Sequence, residues 1–331
     1  MSGAPAMAVA DCHNDLLLAV EHQRRRGYSD PFGDFWLPQL RAGGVVLQVL
    51  PVYTEEEFVS AGALRRALII LETARWMADV HRADVAIAEN GPQIEEIIAS
   101  GRIAMLLALE GGEPFGADLG LVDGFARLGV RMASLTWNRR TMLADGVGVR
   151  SSGGGLTPLG REAVSELERC GVILDVSHLA DAGLRDVLEV AGRPVVASHS
   201  SCRALYCHPR NLSDDQIIAI ARTGGMVCLN AFGGFLSEAP SLDDYITHIA
   251  HAVSLIGDRA VGIGADFIDD VLHIVDPILG GALADEFPTV PNLESPADYP
   301  SVAAAMADRL PLEAAQNVLG QNLIRFLKSM L

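Results

Sequence analysis

Thiols are scarce and unpaired in this chain. The cysteines number five, namely Cys12, Cys170, Cys202, Cys207 and Cys228, an odd and scattered set with no CxxC pair. Neither a disulfide framework nor a thiolate zinc site is indicated, and a reduced, cytoplasmic compartment is expected. Basic residues are few as well, with 25 Lys and Arg against 42 Asp and Glu and a formal net charge of −17. Phosphate binding needs clustered Lys and Arg, so a nucleic-acid partner is excluded, and adsorption to anionic lipid is disfavoured. Apolar runs such as Ile103–Leu109 are strand-length and far too short to span a bilayer. Met1–Ala10 lacks a basic n-region and runs straight into Asp11, which does not read as a signal peptide. No repeat, low-complexity tract or linker divides the chain, so residues 1–331 read as a single domain.

What is present is a large apolar fraction in short pieces. Hydrophobic residues make up 50% and charged ones 20%, enough to bury a sizeable core. Strand-like runs fall at Ala8–Asp11, Val45–Val49, Ile103–Leu109, Met132–Leu135, Ile173–Val176, Val195–Ser198, Met226–Leu229 and Val261–Gly264. Helix-like sequence lies between them, at Leu64–Asp79, Ile94–Ser100, Leu119–Leu128, Pro158–Cys170, Ala180–Ala191, Ser213–Thr223, Leu242–Ile256 and Leu312–Leu327. Ser213 and Ser241, each followed by acids, look like N-caps; Gly129, Gly171 and Gly224 look like helix stops. This alternation predicts an α/β fold, a (β/α)8 TIM-like barrel.

Ionisable residues follow several of these runs at once. His13 and Asp15 follow the first, Glu110 follows Leu109, His178 follows Val176, His199 closes Val195–Ser198, and Asp266 follows Gly264. Strand C-termini of a barrel share one mouth, so these residues are predicted to converge there. Such a nitrogen and oxygen donor set suits Zn²⁺, and less well Mn²⁺ or Fe²⁺. Each residue also has a plainer reading: a hydrogen-bonded turn for His13 and Asp15, a helix cap for Glu110, a structural histidine for His178 or His199. Matched positions at successive strand ends favour the metal. Arg210, in His-Pro-Arg-Asn, is held by Pro209 for a bidentate carboxylate contact, or is an exposed loop arginine. His248 and His251 read as a solvated helix face, and His22, His81 and His273 have no telling context.

The ordered set of motifs resembles the membrane dipeptidase (renal dipeptidase) family of metallopeptidases, in its soluble bacterial type, over nearly the whole chain. Its markers are Asp11-Cys12-His13-Asn14-Asp15-Leu16, Ala108-Leu109-Glu110-Gly111-Gly112, Ser134-Leu135-Thr136 and Ala144-Asp145-Gly146. They continue with Gly155-Leu156-Thr157-Pro158-Leu159-Gly160, Leu174-Asp175-Val176-Ser177-His178, Ser198-His199-Ser200-Ser201, Pro209-Arg210-Asn211-Leu212 and Gly262-Ile263-Gly264-Ala265-Asp266-Phe267. The resemblance implies two zinc ions, one on His13 and Asp15, the other on His178 and His199, with Glu110 bridging both and a shared hydroxide as nucleophile. It further implies that Asp266 takes the proton of the attacking water and passes it to the leaving amine. Arg210 would grip the terminal carboxylate of a dipeptide, including one with a C-terminal D-residue. Homodimers are common in that family, and no sequence feature marks an interface.

Two positions depart from the family pattern. Cys12 replaces a glycine, a small-for-small change. Trp137 replaces the histidine thought to contact the reacting carbonyl, and its indole offers one N–H and no positive charge. Oxyanion stabilisation would then rest on the metals or on Asn138, or the substrate differs. The segment Met226–Phe235 is expected to line the side-chain pocket, with Asn230 and Phe232 nearest the mouth. Alternatives are a barrel metallohydrolase acting on an N-acyl amino acid, a lactone or another amide or ester, and a non-catalytic binding relative.

Overall fold

Runs that are apolar on both faces can be satisfied only by a sheet covered on both sides, and the strands of this chain meet that condition. The computed structural model describes residues 8–276 and 289–331; most of the Met1–Ala10 stretch lies outside them. The strands are β1 (Val9–Asp11), β2 (Val45–Tyr53), β3 (Val85–Ile87), β4 (Ile103–Glu110), β5 (Val130–Ser134), β6 (Ile173–Asp175), β7 (Val196–Ala197), β8 (Met226–Leu229) and β9 (Val261–Ile263). Every pairing among them is parallel. Strand β1 lies between β2 and β9, the order then runs β8, β7, β6, β5, β4, and β4 pairs with β2 to close the ring. Strand β3 stands outside this eight-stranded barrel, pairing with Ile103–Met105 at the base of β4, whereas β5 takes Leu107–Leu109.

The two faces of β4 show how the core is divided. Ala104, Leu106 and Ala108 join Ala10, Leu47, Val49, Met132, Ile173, Val196 and Met226 in one buried cluster. Residues from so many strands meet only inside the ring. Ile103, Met105, Leu107 and Leu109 face the surrounding helices in a second cluster. Period-2 alternation therefore sends Glu110, two residues beyond Ala108, into the barrel at its C-terminal end. Leu323, Phe326, Leu327 and Met330 of the helix Asn322–Met330 pack into the inner cluster and plug the opposite end.

Helix boundaries follow local chemistry. Ser213 and Ser241 are N-caps with full capping boxes to Gln216 and Asp244. Gly129, Gly171 and Gly224 have positive φ just past helix ends. The stretch expected as one helix over Leu312–Leu327 is instead Leu312–Gln316, a π turn over Asn317–Gln321, and Asn322–Met330. Gly320 in that turn lies so close to the Ala8 carbonyl that a Cβ would come within 2.4 Å of it. Helices Leu16–Arg25, Leu37–Ala42, Asp269–Val275 and Tyr299–Ala307 were not anticipated. Among the described residues no helix is long and apolar enough to cross a membrane.

Candidate metal centre

At the C-terminal mouth the strand ends deliver their ionisable side chains to one point. Glu110 Oε1 lies 2.9 Å from His178 Nε2, 3.5 Å from His199 Nε2 and 3.8 Å from His13 Nε2. His13 Nε2 is also 3.5 Å from Asp15 Oδ2 and 3.8 Å from Asp266 Oδ1. His13, Asp15, Glu110, His178 and His199 are all buried. Donor atoms of His13, Glu110 and His199, and of His13, Asp15 and Asp266, fall in two overlapping groups, each within 4.8 Å. All six strand-end residues expected at the mouth are brought together.

Backbone geometry is spent on this placement. His178 and Asp266 are both left-handed, at φ 70° and φ 59°, a region uncommon for residues other than Gly that His and Asp enter more readily than most. Asp266 N donates to the His13 carbonyl at 3.2 Å, locking the β9 loop onto the β1 loop. The Asp11 carboxylate does the same from the other side, accepting from His13 N and Ala265 N, each at 3.1 Å. Gly111, at φ 105°, follows Glu110 and donates to Ser134 Oγ at 2.7 Å.

The donor set fits divalent cations. His178 Nδ1 is 2.8 Å from Asn138 Oδ1, and His199 Nδ1 is 2.6 Å from Ser198 Oγ, so each imidazole has an acceptor for a proton on Nδ1. Both Nε2 lone pairs then face each other across 2.8 Å. Two lone pairs so close repel unless a cation lies between them and the carboxylates. His13 Nε2 and Asp15 Oδ1 are buried without any hydrogen-bond partner, which fits a role as ligand atoms.

Electrostatics agree with the geometry. Burial alone would lower the His13 pKa, but the carboxylates of Glu110, Asp15 and Asp266 outweigh it and carry it up to about 10. Burial lifts the Glu110 carboxyl well above its ordinary range, and Asp15 adds to the rise. Asp266 is raised chiefly by burial and by Asp15. His178 and His199 are pushed well below the usual imidazole value by burial, and then by the charges of Arg210 and His13. A proton on His13 is the local answer to this crowding of carboxylates, and a metal ion answers it better.

The remaining candidates take distinct places. Arg210 is buried, not exposed: its Nη2 donates to the His199 carbonyl at 3.1 Å and lies 3.2 Å from His178 Nε2, while Nε has no partner. Asn138 uses its amide oxygen on His178. Asn230 is fully buried beside Asp266; it donates to Asp266 Oδ2 at 2.9 Å and accepts from Phe232 N at 2.5 Å. Phe232 packs on Phe235, whose ring lies 5.5 Å from the Arg210 guanidinium carbon. The Trp137 ring stands 5.9 Å from His178 and 5.1 Å from Tyr53. Arg139, which sequence reading passed over, sits 5.0 Å from that indole and donates to Tyr53 Oη at 3.1 Å. A positive charge is therefore present behind Trp137 although the indole carries none.

His248 corrects an expectation. It is buried, not on a solvated face; its Nδ1 accepts from Cys202 N at 3.0 Å and its Nε2 lies 3.2 Å from the Leu236 carbonyl. It thus staples two mouth loops to the helix Leu242–Ile256. His251 pairs with Asp214 at 2.8 Å, His22 with Glu55 at 3.0 Å and His81 with Asp30 at 2.8 Å.

Comparisons with known proteins point to one family. The sequence pattern described as membrane dipeptidase (peptidase family M19) matches residues 4–330. An uncharacterized dipeptidase of Schizosaccharomyces pombe is 27% identical over 349 residues, covering 96% of this chain and 80% of that protein. The dipeptidase aclJ of Aspergillus oryzae is 30% identical over 343 residues, covering 92% and 81%. A solved metallopeptidase of Rhodobacter sphaeroides, liganded with a phosphinate mimic of the dipeptide L-Ala-D-Ala, is 25% identical, with a TM-score of 0.87 and 99% and 100% of the two chains covered. The chain belongs to the membrane dipeptidase family, peptidase family M19, and is a metallopeptidase of the (β/α)8 barrel type.

Proposed function

We propose that this protein is a two-zinc dipeptidase that accepts substrates with a C-terminal L- or D-residue. The carrying observation is the Glu110 carboxylate, with three imidazole Nε2 atoms within 2.9–3.8 Å of one oxygen. In this reading His13 and Asp15 hold one ion, His178 and His199 the other, and Glu110 both. Bound there, two zinc ions supply a water acidic enough to attack near neutral pH and a Lewis acid for the scissile carbonyl. The rest falls to the side chains. Arg210, with its unpaired Nε, takes the terminal carboxylate of the substrate. That grip fixes the distance from carboxylate to scissile bond, which favours a dipeptide over a longer chain. Asp266, aimed by Asn230, receives the proton of the attacking water and returns it to the leaving amine. Phe232 and Phe235 form one wall of the side-chain pocket, Trp137 and Tyr53 the other.

The phosphinate mimic of L-Ala-D-Ala bound by the Rhodobacter sphaeroides relative supports extending the substrate class to a C-terminal D-residue. All five cysteines are free thiols, which supports a reducing, cytoplasmic setting. The test is a panel of L,L and L,D dipeptides, their tripeptide extensions and simple esters and lactones. Each is assayed with protein stripped by chelator and with protein reloaded with zinc. Turnover of dipeptides only after reloading is expected. Faster hydrolysis of lactones or N-acyl amino acids, or full activity without metal, contradicts the proposal.

A further inference from the structure

Both imidazoles that face Glu110 through Nε2 must keep their proton on Nδ1 if Nε2 is to bind a cation. His178 does so against the amide oxygen of Asn138. His199 does so by a longer route. Its Nδ1 lies 2.6 Å from Ser198 Oγ, and that oxygen lies 2.5 Å from Asp175 Oδ2. A carboxylate only accepts, so the Ser198 hydroxyl donates to Asp175 and presents a lone pair to the Nδ1–H of His199. The alternative acceptor, Ser177 Oγ, is 3.4 Å from Ser198 Oγ and already accepts from His199 N at 3.2 Å. Asp175 is itself fixed, its Oδ1 accepting from Ser177 N at 2.9 Å and from Ser198 N at 3.0 Å. Asp175, Ser198 and His199 are all buried.

We propose that Asp175 and Ser198 are positioning residues, a hydrogen-bond relay that sets the tautomer and ring orientation of His199 for metal binding. The inference rests on the reading of His178 and His199 as ligands to one of two ions. Asp175 belongs to β6 and Ser198 follows β7, so the relay also ties the ends of the strands that deliver those two ligands. Its polarity is the testable feature. In Asp175→Asn the amide oxygen keeps both backbone donors, and the amide nitrogen then faces Ser198 Oγ as a donor. The hydroxyl must turn round and donate to His199 Nδ1. His199 is thereby left with its proton on Nε2, where the metal belongs.

The experiment titrates metal-stripped protein with Zn²⁺ against a chromophoric chelator that resolves two sites, with the melting temperature of each stripped protein recorded. Ser198→Ala is expected to weaken one site about ten- to a hundredfold and leave the other unchanged. Asp175→Asn should weaken the same site at least as much, although it is isosteric. Ser198→Thr, which retains a hydroxyl, should restore the affinity, and melting temperatures should stay close to wild type. Two sites weakened equally with a fall in melting temperature would overturn the relay in favour of a simple structural brace. Unchanged affinity in Asp175→Asn would also overturn it. A wild-type protein that takes up no zinc would overturn the ligand assignment itself, an outcome distinct from two bound ions with indistinguishable variants.

Discussion

Replacing Arg210 by Ala and comparing a dipeptide with its C-terminal amide separates recognition of the carboxylate from every other role of this side chain. The guanidinium is buried, and burial lowers its pKa, so its charge is poorly solvated by water and ready for an anionic partner. Nη2 is occupied by the His199 carbonyl and lies against His178 Nε2, whereas Nε is buried and unpaired. A substrate carboxylate that accepts from Nε completes a buried, charge-assisted pair. Removing one partner of such a pair costs about 2–5 kcal/mol. At about 1.4 kcal/mol per decade this is a loss of about 30- to 4,000-fold in kcat/KM for the free dipeptide. Some of the loss will be common to both substrates, because Arg210 also touches the loop and ring that carry His199 and His178. The double comparison removes that common part. Wild-type enzyme should prefer the acid over the amide by a large factor, and Arg210→Ala should bring the ratio close to one. Arg210→Lys should fall between, keeping the charge and losing the planar fork. If the variant loses the same factor on both substrates, Arg210 serves the fold of the site and the carboxylate grip is wrong.

Further outcomes follow from other parts of the molecule. Asp266→Asn should lower kcat by about 10²–10⁴ with KM and metal content little changed, as expected of a proton carrier; steady-state kinetics with metal analysis checks this. Burial would raise the Glu55 pKa, but hydrogen bonds from His22 and Arg66 hold it at about 2 against an ordinary 4.5. Its stabilising contribution is therefore complete above pH 4.5 and lost as pH falls toward 2. Glu55→Gln should destabilise by about 3 kcal/mol near pH 7, the low end for a broken buried pair because Arg66 keeps Glu21 at 2.6 Å. In denaturant titrations the gap to wild type should shrink through that acid window; a constant gap would contradict the assignment. Gly264→Ala would set a Cβ 1.8 Å from the Ser198 carbonyl, and a melting-temperature drop equivalent to about 3 kcal/mol is expected. An unchanged melting point would show that the β9 and β7 ends can part.

Much of the barrel was legible because its strands are buried on both faces, so each reads as an unbroken apolar run. Glu110 stood out for the same reason, since it ends a run in which Ala104, Leu106 and Ala108 already mark the inner face. Val85–Ile87 was not legible: it is short, half-buried and outside the ring, with no pattern to set it apart. The helix Leu16–Arg25 was hidden because its buried residues crowd into Leu16–Glu21 directly after the ligand motif. Which way a side-chain amide points is not written in a single sequence. Asn138 and Asn230 were expected to meet substrate; their contacts to His178 and Asp266 could not be read in advance. His248 fails similarly, because spacing shows that His248 and His251 share a helix but not which of them turns inward. Asp175 carried a signal that was passed over: a carboxylate within an apolar strand run costs too much to bury unless something uses it.

The most direct test of the two-metal account is Glu110→Gln, assayed for zinc content and dipeptide turnover in the same preparation. The substitution keeps shape and removes the carboxylate that, among the described residues, lies within reach of all three imidazoles. Loss of turnover together with weakened binding of both ions is expected. A variant that retains two tightly bound zinc ions and ordinary turnover would contradict the bridging role of Glu110 and the mechanism built on it.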